Sequence, residues 1–107
     1  MRIDIKPLSV NEAWQGRRFK TPKYKNYERS VLLMLKPCKI DLEAHLRVFL
    51  TFGYSNTLCD IDNGLKPFID ILQKYYKIND RKIYELVVKK EIVKKGKEFI
   101  EFKIEDI

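Results

Sequence analysis

Apolar and polar residues alternate over residues 43–54. Leu46, Val48, Leu50 and Phe52 share one face, and His45, Arg47, Phe49 and Thr51 the other. A period of two is the mark of a strand with one buried face. Residues 2–6 alternate as well, with Ile3 and Ile5 together, which predicts a short first strand. Tyr24, Tyr27, Val31 and Leu35 recur at helical spacing, so a helix is predicted over residues 22–36. Thr21 stands at its N-cap, Pro22 opens its first turn and Pro37 ends it. Leu65, Phe68, Ile69, Leu72 and Tyr76 predict a second amphipathic helix. Pro67 must lie in its first turn, where no amide donor is missed. Residues 77–80 read as a turn and 82–92 as a strand. Lys95-Gly96 reads as a hairpin turn, and 99–104 as the returning strand, with Ile100, Phe102 and Ile104 on one face. Residues 7–22 read as an ordered loop or ribbon, extended near Arg17 to Lys20.

The order is therefore β-α-β-α-β-β. One helix between two strands allows a parallel crossover, and the last two strands suggest a hairpin. The expected fold is α/β in composition (α+β), with a mixed sheet and two main helices. A chain of 107 residues without repeats or a linker is expected to be a single domain over residues 1–107. No apolar run approaches a membrane span, and residues 1–7 lack a signal-peptide core, so a cytoplasmic protein is expected. Cys38 and Cys59 are far apart and form no CxxC, which suits free thiols in a reducing compartment. One His and two Cys do not make a zinc site of the usual kind. Any nucleophilic triad would need His45, whose apolar neighbours favour a structural role. Chemistry would then rest on carboxylates and lysines.

Charge narrows the field. There are 22 Lys+Arg against 15 Asp+Glu, a net +7, so a polyanion is a natural partner. Arg17, Arg18, Lys20, Lys23, Lys25 and Arg29 interleave with Phe19, Tyr24 and Tyr27, a mixture suited to phosphates and exposed bases. A second basic run holds Lys89, Lys90, Lys94, Lys95 and Lys97. Either run also reads as an ordinary solvated surface.

The most informative stretch is Asp60-Ile61-Asp62-Asn63-Gly64-Leu65-Lys66. In an extended segment, Asp60 and Asp62 point the same way, and Lys66 follows one turn after Asp62. Converging carboxylates repel unless a hard cation lies between them or one is protonated. Asp80 precedes the next strand and would join them if both strand ends met at one sheet edge. Three carboxylates around Mg²⁺ in a basic protein is a layout for phosphodiester hydrolysis. The same residues also read as a helix cap and a turn, with Asp62 capping. A calcium loop fits less well, because Ile71 stands where the bidentate Glu belongs.

The motif Asp60-x-Asp62-Asn63-x-x-Lys66, then Asp70, then Asp80 before a strand ending Val87-Val88-Lys89, resembles the RusA family. These are Holliday-junction resolvases, crossover junction endodeoxyribonucleases of bacteria and their prophages. Pro7-x-Ser9-x-Asn11, then Trp14 and Gly16-Arg17-Arg18, resembles the family's opening segment, and Val93-Lys94-Lys95-Gly96-Lys97 its basic hairpin. The resemblance implies a homodimer that requires Mg²⁺ or Mn²⁺ and cuts four-way DNA junctions by paired nicks. It implies that Asp60, Asp62 and Asp80 are catalytic and metal-binding, with Lys66 the essential lysine. The family often has two aspartates where this chain has Asn79-Asp80, and only the second matches the catalytic position.

Arg17, Arg18, Lys20 and Lys23 are the expected DNA contacts, holding the backbone without reading sequence. Lys89 touches a DNA arm or forms a charged edge against strand-to-strand aggregation, and Asn11 orders its loop or stands near the phosphate. Trp14, Phe19 and Tyr24 either stack on bases at an open crossover or pack within the protein. Apolar Val31 to Leu35 is either core or a subunit contact. Neither a membrane nor a nucleotide cofactor is expected. A non-catalytic branched-DNA-binding protein of the same fold is the alternative, and a basic structural subunit a second rival.

Overall fold

A computed structural model describes residues 1–15 and 19–107. Its elements are β1 (Arg2–Ile3), α1 (Val10–Ala13), β2 (Trp14–Gln15), β3 (Phe19–Lys20), α2 (Pro22–Met34), β4 (Leu46–Tyr54), α3 (Leu65–Tyr76), β5 (Ile83–Ile92) and β6 (Phe99–Asp106). A single 3₁₀ turn, Asp80–Lys82, leads into β5. β2 and β3 form a small antiparallel ribbon. The main sheet is mixed, in the order β1-β6-β4-β5.

β4 sits inside this sheet because its sequence is apolar enough to be covered. Leu46, Val48, Leu50 and Phe52 are buried and alternate with half-buried Arg47, Phe49 and Thr51. α3 packs on that face through Phe68, whose ring meets Phe52 and Phe102 edge-on, at centroid distances of 6.4 and 5.6 Å. α2 packs beside α3. The Tyr24 hydroxyl donates to the Pro67 carbonyl at 3.3 Å. Pro37 denies α2 any continuation, and carbonyls left over at its end accept from α3: Tyr75 donates to Leu35 and Tyr76 to Lys36.

The predicted hairpin between the last two strands is not formed. β5 pairs with β4 in parallel and β6 pairs with β4 antiparallel, so the two flank it on opposite sides. β4 is the most buried strand and takes a partner on both sides, whereas β5 is exposed along most of its length and stays at the edge. The Lys95-Gly96 turn therefore starts a crossing from one side of β4 to the other. β1 is also shorter than predicted. Its partner β6 takes Arg2 and Ile3 only, and Ile5 packs against the core from outside the sheet.

Thr21 caps α2 as the sequence predicts. Its Oγ1 accepts from the Tyr24 amide at 3.1 Å and donates to the Glu12 carbonyl at 2.6 Å, tying α1 to α2. A Thr21→Ala variant should lose about 1–2 kcal/mol, read as a lower urea midpoint with an unchanged slope, while Thr21→Ser keeps most of it.

The end of the sheet where β4 stops and β6 starts carries a close approach. Gly53 lies under Phe99, and a Cβ there would stand 2.3 Å from the ring. Arg2 covers the ring's other side at 3.9 Å, which leaves Phe99 buried.

Candidate active site

β4 ends at Tyr54, and residues 55–64 carry the chain to α3. Three bonds hold this segment. The Val10 amide donates to the Asn63 carbonyl at 2.8 Å. The Gly64 amide donates to the Tyr54 hydroxyl at 3.1 Å, and Lys90 donates to the Cys59 carbonyl at 2.7 Å. Gly64 allows the first two to coexist, since a Cβ there would stand 3.0 Å from the Tyr54 oxygen and 3.3 Å from Pro7. Burial pushes the Tyr54 hydroxyl up to about 12 against the lowering effect of the Gly64 hydrogen bond, so it stays neutral and can accept that proton.

The backbone turns over this segment by its own bonds, Asn63 amide to Asp60 carbonyl and Leu65 amide to Asp62 carbonyl. The Asp62 side chain does not cap α3: the N-cap is Gly64, with no side-chain bond. The Asp62 and Asp80 carboxylates are exposed and make no hydrogen bond or ion pair among the described residues. Asn79, not Asp80, caps the 3₁₀ turn, its side chain accepting from the Arg81 amide. The capping explanation therefore accounts for neither carboxylate.

Asp62, Lys66, Asp70 and Asp80 line one groove of about 500 Å³ between α3 and β5, with walls that include Ile69, Ile83 and Leu86. The expected route, with both strand ends meeting at one edge, is not the one taken. β4 and β5 run parallel, so the end of β4 and the start of β5 lie at opposite ends of the sheet. α3 runs back between those points, and the groove follows its flank. Asp60 does not line this groove. Among the described residues no three His, Cys, Asp or Glu side chains stand close enough to share a metal ion. Lys66 donates to Asp70 at 3.4 Å, one turn along the same face. Asp70 is the groove residue beyond those expected, and its i+4 spacing from Lys66 was visible in the sequence. The parts played by Tyr54 and Lys90 had no such signal.

The basic candidates are dispersed. Lys20 and Lys74 both hold Glu28, at 3.0 and 2.9 Å. Burial pushes the Glu28 carboxyl up, and the hydrogen bonds from Lys74 and Lys20 outweigh it, leaving the group below its usual value. Lys23 pairs with Glu12 at the surface. Lys89 is exposed and, by alternation along β5, faces away from the groove that Leu86 lines. Asn11 lines a different cavity from the carboxylates. Arg17 and Arg18 lie outside the described residues. Of the three aromatic candidates, Tyr24 is core, Trp14 packs on it at 5.5 Å, and Phe19 is 72% exposed. His45 is exposed and stacks on Tyr84 at 3.8 Å. Cys38 and Cys59 are both free.

The family model described as Endodeoxyribonuclease RusA matches residues 6–105. The chain belongs to the RusA family. No curated protein matches it. The RusA family is one of endodeoxyribonucleases that resolve Holliday junctions and act on branched DNA. The match includes the groove, the two main helices and the three long strands. The small α+β domain with its mixed sheet agrees with a RusA-like fold. Among the described residues no helix is long and apolar enough to cross a membrane.

The RusA resemblance implies a divalent ion, and the groove's donors suit one. Beside the Lys66 ammonium and Tyr84 the groove offers the carboxylates of Asp62, Asp70 and Asp80, oxygens of the kind a hard cation prefers, and Mg²⁺ typically takes one or two carboxylates and keeps several waters. Asp62 and Asp80 are unengaged among the described residues, but they flank α3 at its two ends, and no three such side chains converge there.

Proposed function

We propose that this RusA-family chain is a metal-dependent, structure-selective endodeoxyribonuclease that resolves four-way DNA junctions by paired nicks. One observation supports this most. A chain of net charge +7 keeps three carboxylates and one lysine in a single groove, two of the carboxylates without a partner among the described residues. Such a groove repels a DNA phosphate unless a cation neutralises it. On this reading Asp60, Asp62 and Asp80 would hold Mg²⁺ or Mn²⁺, as the family resemblance implies. When bound, the ion polarises the phosphate and lowers the pKa of an attacking water.

The protein's own contribution is charge and position. Lys66 is 64% exposed and, among the described residues, is held by Asp70 alone, so its ammonium can turn to the phosphate as negative charge grows there. Asp70 keeps that lysine on the groove side of α3. Lys20, Lys23 and Lys89, with Arg17 and Arg18, would hold the sugar-phosphate backbone. Two cuts related by symmetry call for a two-fold dimer. Leu33 and Met34, exposed at the end of α2 while Val31 and Leu35 are buried, offer apolar surface for it.

The test is a labelled synthetic four-way junction incubated with the protein at moderate salt, with Mg²⁺, with Mn²⁺ or with EDTA. Paired nicks in either metal and none in EDTA are the expected result. The second reading, a binding protein without catalysis, is favoured by the absence of Asp60 from the groove. Tight junction binding with no nick under any divalent ion would establish it and end the nuclease proposal.

A further inference from the structure

A second, larger cavity of about 940 Å³ lies on the other side of the Val10–Asn63 hydrogen bond from the carboxylate groove. Val10 lines the groove, while Asn11 and Asn63 line the cavity. Its walls come from residues 5–12, from α2 and from residues 54–63. Four asparagines reach it, Asn11, Asn26, Asn56 and Asn63. Only the Asn56 side chain is used internally, accepting from the Leu58 amide. The amides of Asn11, Asn26 and Asn63 have no partner among the described residues.

The cavity's charge balances. Lys23 is paired with Glu12 on its rim, and Lys6 stands opposite Glu98, whose carboxyl it helps to hold below its usual value. A free phosphate would meet two carboxylates there. A neutral, flat solute with donors and acceptors on its edge would meet amides. Pro7, Tyr27 and Tyr54 supply the apolar wall. The Tyr27 hydroxyl beside it is buried and lacks a well-formed hydrogen bond among the described residues, and that burial drives its pKa far up.

We propose that this amide-lined cavity takes one unstacked nucleobase from the DNA strand whose phosphate occupies the carboxylate groove. The inference rests on the reading that this chain binds branched DNA. Each asparagine amide offers a donor and an acceptor, and together they match the edge of a base removed from its pair. The cavity thereby makes cutting depend on the identity of a base beside the nick, a dependence that phosphate contacts alone do not give.

The test uses four-way junctions bearing 2-aminopurine, or an abasic site, at each position near the branch in turn. The full chain is bound in EDTA, so that no cutting is needed for the readout. One position should brighten on binding beyond the free junction, and an abasic site there should weaken binding about fivefold or more. Asn26→Ala, an exposed change on α2 that the fold tolerates, should reduce both effects at equal saturation; Asn26→Trp, which fills the cavity, should abolish them. No position that brightens, or brightening untouched by both variants, overturns the pocket while leaving the nuclease reading intact. Brightening that responds to the variants, together with no metal-dependent nick, supports the pocket and overturns the nuclease reading. A junction that is not bound at all overturns both.

Discussion

On the proposed reading, replacing Asp62 by Asn should lower junction cutting on the order of 100-fold or more, because an ion held there would contribute several kcal/mol to the transition state. Junction binding is kept or tightened, since one negative charge leaves a groove that must face a phosphate. Stability barely changes. The Asp62 carboxylate is exposed, forms no bond among the described residues and does not cap α3, so Asn breaks nothing in the fold. Cutting, gel-shift binding and thermal melting on one preparation separate these effects. Asp80→Asn should behave in the same way, and Asp60→Asn more mildly if Asp60 stays outside the groove. Cutting by Asp62→Asn at the unmodified rate would remove Asp62 from the chemistry.

Gly53→Ala has the largest expected effect on stability, about 2–3 kcal/mol, seen as a fall in Tm of roughly 10 °C or more. The added Cβ would stand 2.3 Å from Phe99, whose ring is clamped between β4 and the Arg2 guanidinium. The ring cannot retreat without uncovering the sheet or releasing β1. Glycine's usual entropic cost in a strand is offset here by the aromatic ring laid over it. Phe99→Ala alone is destabilising, since it empties a buried site. In the Gly53→Ala, Phe99→Ala pair the clash is gone, so the double variant should be more stable than the sum of the two single losses. Strict additivity would mean that the two residues do not press on each other.

Much of the fold was legible because its elements declare themselves locally. The alternation in β4 and the helical spacing in α2 and α3 are set by which face is buried, and each came within a few residues of its observed limits. Pairing partners were not legible. Nothing local in Lys94 to Glu98 distinguishes a hairpin from a crossing over the end of β4, and the choice is made by the apolar demand of β4 on both sides. The candidate site divides in the same way. Asp62 and Lys66 are neighbours in sequence, and Asp70 follows at helical spacing, so their grouping was readable. The meeting with Asp80 depends on how α3 lies along β5, which is tertiary. The holders of the loop, Tyr54 and Lys90, act on the Gly64 amide and the Cys59 carbonyl, and no side-chain pattern announces a bond to a backbone group.

The strand order also sets a schedule for synthesis. β4 is the most apolar strand, and both of its neighbours, β5 and β6, come after it in the chain. A ribosome-bound chain that has emitted β4 but not yet residues 83–106 carries that strand with both edges bare. β1 must wait longer still, because its partner among the described residues is β6, and the Met1 ammonium finds the Phe102 carbonyl at 2.7 Å only after residue 102 has emerged. The interval between those events is when this protein is most exposed to aggregation, and slowing translation over residues 55–82 would lengthen it.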